Sequence, residues 1–398
     1  MIRVLLLSLF LVACAGDPPK VYKPAPETPD FPVKLSWAHK LTEIGSDKLV
    51  RLVPGTNDRF VVVADINGVV SNFDLKTGQL NWEKQFDTKF SAGPVIFDDV
   101  VLIGSKTAEV YSVSLATGEL HWRQRVSSEV ISPPQMQEDR IVAQTNDGKI
   151  FGLRAKDGKQ VWVYERNVPI LSLRGNSTPI IIDDQVVAGF ANGKLVSLSV
   201  SDGKLNWETT VSLPKGRTEL ERLVDIDGPL VFKNGLIFAS AYRGKVAAID
   251  AISGRIVWAR EMSSHLGVVI DDKLLFVTDS DGRIWALNSE SGATLWMQDK
   301  LSELASTRPA LDGDNLVVGD VTGELYWLSK TDGRLLGHLE HDKPSKLSGA
   351  TYYVDEIENY ENQAERKDET SVIFQPNKNN YSIIVTYQNG ILASVVPK

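Results

Sequence analysis

The sequence predicts an all-β fold: an eight-bladed β-propeller of four-stranded antiparallel blades, closed by N- and C-terminal strands in one blade. Three observations predict it. A frame of one Gly, a second Gly ten residues on and a Trp four beyond that recurs seven times in phase. Short alternating runs fill the frame, and helical periodicity with caps is hardly visible. The chain ends on a partial eighth copy whose missing strand is supplied by its start.

In chain order, residues 1–13 read as a secretory leader. Arg3 precedes an apolar run from Val4 to Val12, far short of the roughly 20 residues a spanning helix needs. Leu11-Val12-Ala13-Cys14 follows, and Cys14 is the single cysteine in 398 residues. An internal disulfide and a cysteine-based metal site are thereby excluded. Residues 14–32 hold six prolines, which favour extended, solvated backbone and suit a tether. The propeller is expected to occupy residues 33–398.

The copies end at Trp82, Trp122, Trp162, Trp207, Trp258 and Trp296, and the seventh ends at Gly337, where the Trp is lost. The first Gly of the frame is replaced once, by Ala108. Each Gly follows a residue such as Asn, Asp, Ser or Thr, the composition of tight turns that need positive φ. With another strand pair upstream of each frame, four strands per roughly 40–45 residues is the signature of a propeller blade. Asn389-Gly390 opens the eighth unit, and Lys34-Leu35-Ser36-Trp37-Ala38 resembles Lys204-Leu205-Asn206-Trp207-Glu208. The first strand should therefore complete the last blade and remove the open edge. Each repeat Trp is expected to bury about 200 Å² between blades with its N–H on backbone. Trp285 and Trp327 are read as packing residues of the preceding strands.

Most Trp-to-Trp spacings in the middle of the chain, from Trp82 to Trp296, are 38 to 40, but Trp162 to Trp207 is 45 and Trp207 to Trp258 is 51. The extra residues fall in two consecutive inter-blade connectors. These emerge on one face and should be neighbours there, where a rigid scaffold carries recognition loops. Residues 342–370 form a charged insertion before the last blade, read as a solvated loop.

The formal net charge of −8 disfavours a nucleic-acid partner. The five His show no metal-ligand spacing, and no Gly-x-Ser-x-Gly elbow occurs. Asp147, Asp157, Asp202, Asp281 and Asp332 stand in turn positions, where side chain-to-backbone bonds explain them. No catalytic residue, metal site or cofactor is assigned.

Leu11-Val12-Ala13-Cys14 resembles the bacterial lipobox. That resemblance implies acylation at Cys14 after removal of residues 1–13, which would move the formal charge to −9. Ala15, in place of the Asp that marks inner-membrane retention, implies the outer membrane with the body facing the periplasm. The (Thr/Ser/Asp)-Gly-x-x-x-Trp core is similar to the quinoprotein-type repeat, shared by pyrroloquinoline-quinone dehydrogenases and by the outer-membrane assembly factor family BamB. The dehydrogenases are typically longer, and many carry a Cys pair that this chain lacks. Leu171-Ser172-Leu173-Arg174-Gly175 and Arg222-Leu223-Val224-Asp225-Ile226-Asp227 resemble two BamB segments that meet the periplasmic domains of BamA. The resemblance implies a non-catalytic scaffold lipoprotein with Leu171, Leu173, Arg174, Asp225 and Asp227 at the contact. Other assembly-machinery subunits and unfolded outer-membrane proteins are further candidate partners, and the lipid is the membrane contact. Open alternatives are a quinoprotein-like enzyme or sugar-handling propeller, and an envelope lipoprotein with another partner.

Overall fold

The Gly/Trp frame folds locally into a third strand, a tight turn and an outer strand, seven times over. The structure, a computed structural model, describes residues 33–41, 51–166, 177–218, 221–302, 304, 307–320, 323–339, 371–375, 382–386 and 391–397. Cys14, the tether and the insertion 342–370 lie outside these residues. Blades 1 to 7 span residues 55–85, 90–125, 135–165, 180–210, 231–261, 268–298 and 310–339. Blade 8 takes Ser371–Gln375, Ser382–Thr386 and Ile391–Pro397 from the end of the chain and Val33–Lys40 from its start. Val33 pairs with Pro397 and Lys40 with Ile391 in antiparallel register, so the expected closure of the ring is present.

Blade 2 departs from the four-strand expectation. Arg51–Leu52 adds a short parallel strand to its inner edge, with Arg51 opposite Ala92 and Leu52 opposite Gly93. The chain then crosses into blade 1 at Gly55, where a Cβ would lie 2.6 Å from the Pro94 carbonyl oxygen. Only a residue without a side chain lets the backbones pass this closely.

The core is a ring of layers between blades. Val62 and Val70 of blade 1 pack with Val101 and Ile103 of blade 2, and Val142 and Ile150 of blade 3 with Val186 and Val196 of blade 4. Second and third strands are buried, while outer strands such as those of blades 1 and 4 are largely exposed and that of blade 7 is not.

The repeat Trp is the rivet between layers. Each indole N–H donates to a backbone carbonyl of the next blade at 2.7–3.1 Å, from Trp37 to Leu75 round to Trp296 to Lys330. Its ring covers the turn glycine of that blade. At Gly118, with φ of 71°, a Cβ would stand 2.5 Å from Trp82 Cε3. One glycine thus meets two demands, left-handed backbone and room for an indole. Trp37 makes the same contact from blade 8 to blade 1.

The same rule explains Gly337. Its Trp would dock on the turn between the third and outer strands of blade 8. Those two strands are the two ends of the chain, so no turn joins them. The indole has moved one strand inward: Trp327 pairs across from Gly337, is fully buried among Val33, Ile383 and Val395, and donates to Asp312 Oδ2 at 2.7 Å. In the other blades Trp faces a small residue such as Ser112, Gly152 or Ala286, except in blade 1, where it faces Asn72; here the pair is reversed.

Candidate docking site

In each blade, the turn between second and third strands and the connector to the next blade leave from one face, because first and third strands run the same way. The connectors after blades 3 and 4 meet on that face. Ser177, where the first returns, donates its N–H to the Ile226 carbonyl of the second at 3.0 Å, and its hydroxyl accepts from Gly189 N at 2.7 Å. Gly189 is required there: a Cβ would meet Ser177 Oγ at 2.6 Å and Ile226 Cγ2 at 2.7 Å. The two enlarged connectors are therefore neighbours, as their lengths suggested.

The second connector is pinned from both sides. Ile226 is buried with Val187, Leu195 and Leu230, Tyr242 N donates to the Asp225 carbonyl at 2.8 Å, and residues 225 and 242 form an isolated bridge. Both carboxylate side chains, Asp225 and Asp227, are buried. They sit under the face and not on it. Leu171, Leu173 and Arg174 fall in 167–176, outside the described residues. The structure thus places two of the five residues singled out above, in a connector whose Ile226 bonds to Ser177, the first described residue after the other three.

That segment leaves from a charged post. Arg166 Nη1 donates to Glu208 Oε2 at 2.5 Å, Lys194 Nζ donates to Glu208 Oε1 at 2.6 Å, and the Arg166 guanidinium lies 5.7 Å from the Phe190 ring centre. The hydrogen bond from Arg166, then that from Lys194, hold the Glu208 carboxyl down at about 2.

Several surface residues escaped the sequence reading. Leu213 is 65% exposed at the start of the second connector. Behind it Thr218 Oγ1 accepts from Glu221 N at 3.2 Å, while Glu221 Oε2 accepts from Arg217 N at 2.6 Å and Thr218 N at 3.2 Å. These backbone donors lower the Glu221 carboxyl below its usual range. Thr218-x-x-Glu221 is a capping-box spacing, so this pair of residues was findable. Arg243 lies 5.4 Å from the Tyr242 ring, and His265 meets that ring edge-on at 6.4 Å. Nothing in the linear chain links residues 242 and 265 to residue 225. Elsewhere, Asp157, Asp202 and Asp332 accept from the backbone N–H two residues on, the turn role expected of them.

The fold defines a class: a quinoprotein-type propeller, here with two enlarged connectors joined on one face. A family model described as the outer membrane protein assembly factor BamB matches residues 66–298 and 280–355. The BamB of Pseudomonas aeruginosa is 36% identical over 85% of this chain and 90% of its own length. A crystal structure of BamB from Moraxella catarrhalis has a TM-score of 0.77 at 22% identity, covering 92% of this chain and 99% of that one. A quinohemoprotein alcohol dehydrogenase from Pseudomonas putida shares the fold, with a TM-score of 0.68 at 10% identity over 94% of this chain and 78% of its own. The chain belongs to the BamB family.

Proposed function

We propose that this protein is an outer membrane protein assembly factor that works by binding alone, docking on BamA through the connectors that follow blades 3 and 4. The observation that supports this reading most is the joining of those connectors by the Ser177–Ile226 hydrogen bond, on a face stiffened by the Asp225–Tyr242 bridge. A preorganised face loses little conformational freedom when it binds. Leu171, Leu173 and Arg174 supply an apolar anchor with a charged rim. Asp225 and Asp227, buried as they are, act as positioning residues that hold the second connector at the right height. Leu213 and Arg217 extend the contact on the exposed side.

Acylation at Cys14 tethers the body to the outer membrane on its periplasmic side. The tether confines it near its partner, raising the local concentration without a new contact. The family name describes an assembly factor, and the scaffold reading needs no reacting group.

The test is co-purification with BamA. Leu173→Ala combined with Arg174→Glu should abolish capture while the melting temperature stays that of the parent. Undiminished capture would refute the docking face. The enzyme alternative is checked by adding calcium and pyrroloquinoline quinone to the full chain in a dye-linked oxidation assay. Turnover above background would overturn the scaffold reading.

A further inference from the structure

The outer strand of each blade ends its sheet, with a row of backbone N–H and C=O groups turned to the rim. Such edges are hazards that proteins usually blunt with charge. The repeat allows the eight rims to be compared position by position. The residue after Trp is Glu83, Arg123 and Glu208 in blades 1, 2 and 4, and these charges are engaged: Ser71 Oγ donates to Glu83 at 2.9 Å, Arg123 stands 3.8 Å from Glu109, and Glu208 holds Arg166 and Lys194. The residue before Trp is Asn81, His121 and Asn206 in the same blades. Blade 5 has Val257 and Ala259 at these positions but continues with Arg260 and Glu261, blade 7 has Leu336 and His338, both half-buried, and blade 8 carries Lys34 and Lys40.

Among the described blades, only 3 and 6 expose large apolar side chains at both positions. Val161 and Val163 are 43% and 45% exposed, and Leu295 and Met297 are 52% and 42% exposed. No charge stands between Gln160 and Tyr164, or between Thr294 and Gln298. Val161 and Leu295 stand at the bulge that shifts the register of each outer strand, and Val163 and Met297 pair regularly with Phe151 and Trp285.

We propose that the rims of blades 3 and 6 are strand-acceptor sites, each taking an extended, uncharged segment with apolar residues at every second position. Two features select this occupant. An open edge pairs its backbone groups only with another extended backbone, the mode of β-strand addition. Charge then discriminates: a segment with Lys or Glu facing the edge loses solvation against the two apolar side chains there, whereas an uncharged apolar alternation matches them. Alternating apolar strands are what barrel-forming membrane proteins present before they close. Blade 3 would hold such a strand beside the docking connector, since its outer strand ends at Glu165, just before that connector. The source of the strand rests on the assembly reading; the edge chemistry does not.

The probe is a fluorescein-labelled ten-residue peptide of alternating valine and threonine, with a proline-interrupted version as control, titrated into the full chain and read by anisotropy and amide exchange. Binding should protect amides in 160–165 and 294–298, and the proline version should not bind. The double variant Val163→Glu with Met297→Glu restores the charge that blades 1 and 4 already tolerate at this register, and it should weaken binding by about tenfold or more. The reverse change, Glu83→Val, should create a third protected strand at 80–85. Unchanged binding by the double variant overturns the proposal. So does protection spread evenly over all outer strands, or pairing of the edges with a second copy of the chain in sedimentation. BamA capture by the double variant reads the docking face separately: peptide failure with intact capture counts against the edges alone.

Discussion

Gly118→Ala isolates what the Trp rivet contributes. The glycine has φ of 71°, and left-handed backbone costs an L-residue about 1–2 kcal/mol. The new methyl would also stand 2.5 Å from Trp82 Cε3 and 2.7 Å from Lys84 Cγ. Lys84 can swing aside, but the indole is held by its 2.8 Å bond to the Leu115 carbonyl. Withdrawal of the ring stretches that bond, worth about 1 kcal/mol net, and loosens the packing between blades 1 and 2. The sum is about 2–3 kcal/mol. Gly235→Ala is the matched control, because its φ of 78° is just as left-handed and nothing lies within 4 Å of its Cβ. It should lose only the backbone part, about 1–2 kcal/mol. Urea midpoints at constant m-value give both losses, and indole fluorescence reports the movement of Trp82. Equal losses in the two variants would refute the rivet.

Two further predictions concern acids with opposite environments. Glu208 sits at about 2 against an ordinary 4.5, chiefly through the Arg166 hydrogen bond. Its stabilising contribution is therefore complete above about pH 5 and lost as pH falls toward 2. Glu208→Gln should cost about 1 kcal/mol at pH 7, the scale of a partly exposed pair, with the difference from the parent vanishing at the acid end of a pH–melting series. Asp312 is raised by burial, with the Trp327 N–H opposing, so its ionised form destabilises the fold at neutral pH and protonation relieves this as pH falls. Asp312→Asn should raise the melting temperature at pH 7, with a gain that shrinks on acidification. A constant gain would show that charge is not the cause.

Much of this architecture was legible because its cause is local. Gly and Trp recur at fixed spacing since every blade repeats one turn and one docking ring, and Lys34–Ala38 matched Lys204–Glu208 because both are outer strands. The two long connectors could be counted from Trp spacing alone. What was not legible depends on partners far apart in the chain. The donor–acceptor pairs of the rivet are 31 to 44 residues apart, so the frame shows that a Trp is needed without showing which glycine it covers.

Sequence by itself thus determined the blade, the blade count and the closing strand, through backbone periodicity and turn chemistry that act over a few residues. Tertiary structure alone decided that Asp225 and Asp227 lie beneath the face, that Arg51–Leu52 joins blade 2 before its own blade begins, and that Trp327 replaces the indole missing at Gly337. Each of these follows from which blades become neighbours, and at blade 8 from the two chain ends leaving no turn for an indole to cover.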